Sequence, residues 1–196
     1  MILSDNEIHA LANEQGMIQP FESILQRLGP TNVPAISFGI SSFGYDLSLS
    51  PEDFRVFQRR PGHVVDPKDF RAADLVQAQL QTESTGEQFF VLPAHSYALG
   101  VSAERLEMPS DVIGICLGKS TYARCGIIVN ATPLEPGWQG HLTIEISNSS
   151  DSDCRVYASE GIAQVLFFRG LRPHITYQDR SGKYQHQVEQ VTLARV

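Results

Sequence analysis

The sequence predicts a mainly β fold, a distorted barrel or jelly-roll-like sandwich carrying short N-terminal helices. Apolar residues fall in many short runs instead of long amphipathic stripes, and 15 glycines and 11 prolines punctuate them. One stretch, Leu142-Thr143-Ile144-Glu145-Ile146-Ser147, alternates with the period of a pleated strand. At 196 residues and 42% apolar content the chain suits one domain, spanning 1–196, with a core large enough to need no disulfide framework.

In chain order, Ser4 with Glu7 three residues on forms a capping box, Ile8 and Leu11 supply an apolar stripe, and Gly16 is a natural stop, which predicts a first short helix. A second is expected from about Phe21 to Leu28, closed by Gly29-Pro30. From there the runs are strand-like: Tyr45–Leu49, Phe89–Leu92, Tyr97–Val101, Val112–Leu117, Ile127–Val129, Leu142–Ser147 and Val165–Phe168. The polar stretch Gln77–Gln88 reads as an exposed loop or hairpin tip, and the polar tail from about Gln178 is expected to be mobile in the free protein.

Composition excludes several function classes. No run approaches the roughly 20 apolar residues of a membrane span. Met1–Asp5 has neither the basic region nor the apolar core of a signal peptide, so a cytoplasmic chain with no membrane partner is expected. Three cysteines without CxxC spacing predict reduced thiols packed as small apolar residues. A net charge of -7 argues against a nucleic-acid polymer as partner but leaves room for a small polyanion held by a few local cations.

Gly118-Lys119-Ser120-Thr121 ends like a P-loop, yet Ile113 stands where that motif needs its first glycine. What survives is a cation, a hydroxyl and a guanidinium fork, Lys119, Ser120 and Arg124, within six residues. These suit phosphate oxygens, or an ordinary solvated turn. The alternation around Glu145 places Thr143, Glu145 and Ser147 on one face, which is either solvent or a pocket. In a pocket the carboxyl would have a raised pKa and could both take and give protons near neutral pH. Zinc deaminases carry H-x-E and P-C-x-x-C, and neither motif occurs, so no zinc and no protein-held metal are expected. Trp138 lies in a Pro/Gly turn leading into the Glu145 strand, as a packing aromatic or as part of a site.

Together, Gly118–Gly126, Thr132–Trp138, His141–Glu145, Gly161–Gln164 and Gly182–Gln185 resemble, in order, the motifs of the dCTP deaminase branch of the trimeric dUTPase family. The resemblance implies a homotrimer with sites between subunits, dCTP and water as substrates, magnesium bound through the triphosphate, and dTTP as a candidate feedback inhibitor. It implies that Glu145 is the proton donor and acceptor, with Ser120 and Arg124 as its catalytic companions. Lys119, Ser120, Thr121, Tyr122, Ala123 and Arg124 match the nucleotide-binding segment. Thr143, Ile144 and Gln164 match further binding positions, and Tyr177, Lys183 and Gln187 match a tail that folds over the triphosphate. The chain departs from the family at Gln77–Gln88, which is longer, and at Val188-Glu189-Gln190, where similar chains have a Thr-Gly step. The expected reaction is hydrolytic deamination of dCTP to dUTP and ammonia. The rivals are an enzyme that continues to dUMP or cleaves dUTP, with Glu135 where dUTPases carry an Asp, and a trimer that senses nucleotide without turning it over.

Overall fold

The computed structural model describes residues 1–29, 32–58 and 60–196. In chain order its elements are α1 (Asp5–Gln15), β1 (Ile18–Gln19), β2 (Gln26–Leu28), β3 (Pro34–Ser41), β4 (Gly44–Ser48), β5 (Arg55–Phe57), β6 (Leu75–Gln77), β7 (Gln81–Thr82), β8 (Gln88–Leu92) and β9 (Tyr97–Glu107). Then come β10 (Val112–Gly118), α2 (Ser120–Ala123), β11 (Ile127–Asn130), β12 (Gln139–Asn148), β13 (Cys154–Tyr157) and β14 (Gly161–Arg169).

Helix α1 forms for the reasons its sequence gives. The Ser4–Glu7 capping box is closed in both directions, and Gly16 ends the helix in the left-handed conformation with φ of 68°, a region that costs glycine nothing. Ile8, Leu11 and Ala12 go into the core. The second helix does not form. Ile40 N–H donates to the carbonyl of Glu22, and Gln26 pairs with Phe38, so the backbone groups of this segment are drawn to β3 and not to carbonyls one helical turn away. Ile24 and Leu28 are exposed, and Pro30 lies outside the described residues.

The strands pair antiparallel in three sheets, ordered β11-β12-β9-β5-β6 with β1 added against β9, β10-β14-β4-β3-β2, and β13-β8-β7. Between them lies one apolar cluster that includes Tyr45, Leu47, Phe54, Phe90, Ile144, Ile146, Val165 and Phe167. Phe54 and Phe90 stack at its centre, 4.7 Å between ring centroids. The Gln77–Gln88 stretch is a hairpin: β7 pairs β8, and the turn closes with Gly86 N–H donating to the Glu83 carbonyl. No helix among the described residues is long and apolar enough to cross a membrane. All three cysteines are free, but Cys125 is exposed where packing was expected.

Candidate active site

Strand β12 sets the site. Its burial alternates residue by residue, with Leu142, Ile144 and Ile146 in the core and Thr143 and Glu145 on the other face. That face is covered by the chain's own tail. Gly140 has φ of 142°, and a side chain there would meet the Gln187 amide nitrogen at 2.6 Å, so only glycine lets the tail lie this close. His141 N–H donates to the Gln187 carbonyl at 2.9 Å, and His186 N–H to the Gln139 carbonyl at 2.8 Å. The buried Trp138 donates its indole N–H to the Tyr184 carbonyl at 2.8 Å. Trp138 is thus a packing aromatic and an anchor for the tail together.

Between tail and sheet lies a cavity of about 800 Å³. Phe57, Phe70, Tyr97 and Leu99 make its apolar wall, Thr143 and Glu145 its floor, and Tyr177, Lys183 and Gln187 its cover. Burial pushes the Glu145 carboxyl up to about 7, and its Oε2 is buried with no hydrogen-bond partner. Its titratable neighbours do not compensate the charge. Burial first, and the Glu145 carboxylate second, push both the Tyr97 phenol and the Cys116 thiol up to about 12, so both stay neutral beside it. The arrangement is a carboxyl in the cavity lining that changes protonation near neutrality and keeps one buried oxygen without a hydrogen-bond partner. Two cations stand in the same cavity: Arg180, paired with Glu135, and Lys183, which donates to the Arg195 carbonyl at 2.6 Å. Thr143 Oγ1 donates to Gln187 Oε1 at 2.9 Å and accepts from Thr192 N–H at 3.1 Å.

Of the residues singled out in the sequence, the cavity brings together Thr143, Glu145, Tyr177, Lys183 and Gln187. It does not include Lys119, Ser120, Thr121, Tyr122, Ala123, Arg124, Ile144 or Gln164. Ile144 points into the core. Tyr122 is buried too, its hydroxyl accepting the Tyr157 N–H at 2.8 Å, which makes it a pillar under the α2 turn. Ser120, Thr121, Ala123 and Arg124 are exposed on that turn, with Arg124 Nη1 folded back on the Ser120 carbonyl at 3.1 Å. Lys119 turns inward to Asp46, and Gln164 Nε2 donates to Ser41 Oγ at 3.2 Å in the same polar patch. The tail expected to be mobile is seated along β12. Sequence reasoning missed the aromatic wall, Arg180, and the closing contributions of Thr192 and Ala194. Phe57 and Phe70 sit in segments too short or too polar to show a period, so only the fold reveals their convergence.

Among the described residues no group of three or more His, Cys, Asp or Glu is placed to hold a metal ion. The family described as dCTP deaminase-like matches residues 2–170. A dCTP deaminase of Erythrobacter litoralis is 48% identical over 196 residues, 100% of this chain and 99% of that one. A dCTP deaminase of Novosphingobium aromaticivorans is 46% identical over 196 residues, with the same coverage of 100% and 99%. Among solved structures, the 2'-deoxycytidine 5'-triphosphate deaminase of Agrobacterium tumefaciens superposes with a TM-score of 0.54 at 21% identity, over 86% of this chain and 48% of that one, a likeness of fold.

Proposed function

Because the chain belongs to the dCTP deaminase-like family, we propose that it hydrolyses the exocyclic amine from the cytosine base of dCTP, giving dUTP and ammonia, with Glu145 as acid and base. The observation that carries the role of Glu145 is its unpartnered Oε2, buried in the cavity wall on a carboxyl held at about 7. As a carboxylate it takes a proton from water while the water oxygen bonds to C4. It then delivers that proton to N3, takes the proton of the new C4 hydroxyl and passes it to the amine, so that the C4–N bond breaks, ammonia leaves and C4 keeps a carbonyl oxygen. Acid–base help of this kind is worth roughly 10² to 10⁴-fold, and positioning supplies the rest.

Thr143 and Gln187 would bind the nucleotide from β12 and the tail, and Tyr177 and Lys183 would close over the triphosphate. The docked tail supports this, because it puts Lys183 and Arg180 in the same cavity as Glu145. Magnesium would enter on the triphosphate, whose oxygens and bound waters supply its ligands. Its contribution is to spread the phosphate charge.

Ser120 and Arg124 would complete the site from a neighbouring subunit of a homotrimer. Two features support that assembly. The cavity lacks both residues, and β10 presents Ile113, Ile115 and Leu117, with Ile128 of β11, at 37% to 57% exposure, a ridge that reaches the cavity at Ile113. The test is to incubate the protein with dCTP and follow ammonia, dUTP and dUMP, with a zinc-selective chelator, magnesium removal and dTTP as separate arms. Ammonia and dUTP in equal amounts, unaffected by the zinc chelator and weakened without magnesium, are expected. Ammonia absent under every condition sinks the proposal. Solution mass checks the trimer, and a monomer alone would contradict the shared site.

A further inference from the structure

Lys119 has the position of a phosphate ligand and the surroundings of a structural strut. Its Nζ lies 2.5 Å from Asp46 Oδ2 and 2.8 Å from Ser37 Oγ. Both charged side chains are nearly shut off from solvent. Asp46 stands on β4 directly opposite Gln164 of β14, and Gln164 opposite Leu117 of β10, so the pair ties three strands together just where β10 ends. The backbone of Lys119 is held as well: its N–H donates to the Ile162 carbonyl at 3.2 Å, and its own carbonyl accepts the Ala123 N–H at 3.1 Å, the bond that closes the turn of Ser120–Ala123. The far end of that turn is pinned by Tyr122 against Tyr157 and by Ser149 N–H donating to the Gly126 carbonyl at 2.9 Å. Only the stretch between these fixtures, with the exposed side chains of Ser120 and Arg124, is free to meet a ligand.

We infer that Asp46 is a positioning residue for the deamination, acting through Lys119 to set where Ser120 and Arg124 meet the nucleotide, and that Lys119 is not itself a phosphate ligand. The inference rests on the nucleotide-binding role proposed for Ser120 and Arg124. A cation committed to two buried partners would have to leave Asp46 uncompensated in order to reach a phosphate, which a desolvated carboxylate opposes. Burial already pushes the Asp46 carboxyl up against the pull of Lys119.

The two roles of Lys119 predict opposite signs for one substitution. Asp46→Asn releases the lysine: a phosphate ligand would then bind dCTP as tightly as before or tighter, whereas a strut that loses its anchor lets the turn drift. The experiment measures affinity for dCTP and dCMP, together with single-turnover deamination of dCTP, in the full-length protein. Its variants are Asp46→Asn, Lys119→Met, the two combined, Arg124→Ala, and Asp46→Asn with Arg124→Ala.

On this inference Asp46→Asn and Lys119→Met each lower dCTP affinity, on the order of tenfold, by the same factor for dCTP and dCMP. Asp46→Asn adds nothing to Arg124→Ala, because both act through the same fork; a general loss of stability would add. If Asp46→Asn alone fails to fold, the combined Asp46→Asn, Lys119→Met variant, which leaves no lone buried charge, is read in its place. Wild-type affinity and turnover in that variant overturn the inference. So does a gain in dCTP affinity for Asp46→Asn together with a Lys119→Met loss that grows from dCMP to dCTP. Arg124→Ala with unchanged dCTP affinity would strike instead at the role of the turn itself.

Discussion

Glu104 and Glu145 stand on the paired strands β9 and β12, and desolvation pushes both carboxyls up to about 7. Their surroundings differ. Glu104 is 2% exposed and fully engaged, with Ser48 N–H donating to its two oxygens at 3.0 and 3.2 Å and Ser48 Oγ donating at 2.9 Å. Glu145 keeps a buried oxygen with no partner and faces an 800 Å³ cavity. A displaced pKa therefore does not separate a structural carboxyl from a reactive one. A place in the cavity lining together with unused hydrogen-bonding capacity does, because a satisfied carboxyl must break bonds before it can handle a substrate proton, whereas Asp46, whose Oδ1 is also buried without a partner, is outside that lining.

The comparison breaks most visibly under the isosteric change at both positions. Glu145→Gln should lower single-turnover deamination by roughly 10² to 10⁴-fold while dCTP affinity and assembly stay as they were. Glu104→Gln should leave turnover near wild type. An active Glu145→Gln enzyme, or a dead but folded Glu104→Gln one, would reverse the roles given to the two residues.

Next in size is removal of the tail before Gln178. It takes away Lys183 and Gln187, so dCTP affinity should fall by about 10 to 100-fold, the worth of one or two charge-assisted hydrogen bonds. It also lets water reach Glu145. The acid limb of kcat/KM, expected near pH 7 in the intact enzyme because Glu145 must begin as a carboxylate, should move to lower pH in the truncated one. Glu104 is engaged with Ser48 of β4 and is not in the lining of that cavity, so it should titrate as before. Unchanged affinity after truncation would show that the seated tail is no lid.

A smaller effect concerns stability. Both carboxyls have folded-state values near 7 against the ordinary 4.5, so between those values the folded chain binds more protons than the unfolded one. The stability they contribute is full below about pH 4.5 and is lost as pH rises to about 7. Glu104→Gln and Glu145→Gln should each flatten the melting temperature against pH in that window, and by similar amounts, since both carboxyls are displaced to the same value of about 7. Thermal melts at intervals from pH 4.5 to 8 check this, and a steeper profile for either variant would contradict it.

How much of this was legible beforehand follows from what kind of signal each feature leaves. The faces of β12 and the cap of α1 are local, set by period and by Ser4, Glu7 and Gly16, and they came through in the structure. The helix expected over Phe21–Leu28 failed because β3, the next strand, takes up the backbone hydrogen bonds of that segment. The motif residues divided for a similar reason. Sequence order places Lys119 beside Ser120 and Arg124, but the register of β4 against β14 brings Asp46 under Lys119 and turns its charge inward. Partners distant in sequence, such as Asp46 or Phe70, leave no periodic trace.

The smallest expected effect is that of Glu135→Gln. Glu135 lines the same cavity as Glu145 and sits in the turn before Trp138, so proximity alone would make it a rival acid or base. Its surroundings argue otherwise. Its Oε2 is taken up by Arg180 of the tail, and the two side chains are 40% and 50% exposed, so water screens the pair and its worth is at most about 1 kcal/mol. Loss of that pair should loosen the tail by a few-fold in KM for dCTP and leave kcat nearly alone, the reverse of the pattern expected for Glu145→Gln. Arg180→Gln should reproduce the small effect, and the double variant should be no worse than either single one, because each removes the same contact. A kcat loss for Glu135→Gln comparable to that for Glu145→Gln would mean that the deamination uses two carboxyls. A loss confined to dUMP, with ammonia release intact, would instead assign Glu135 to phosphate cleavage.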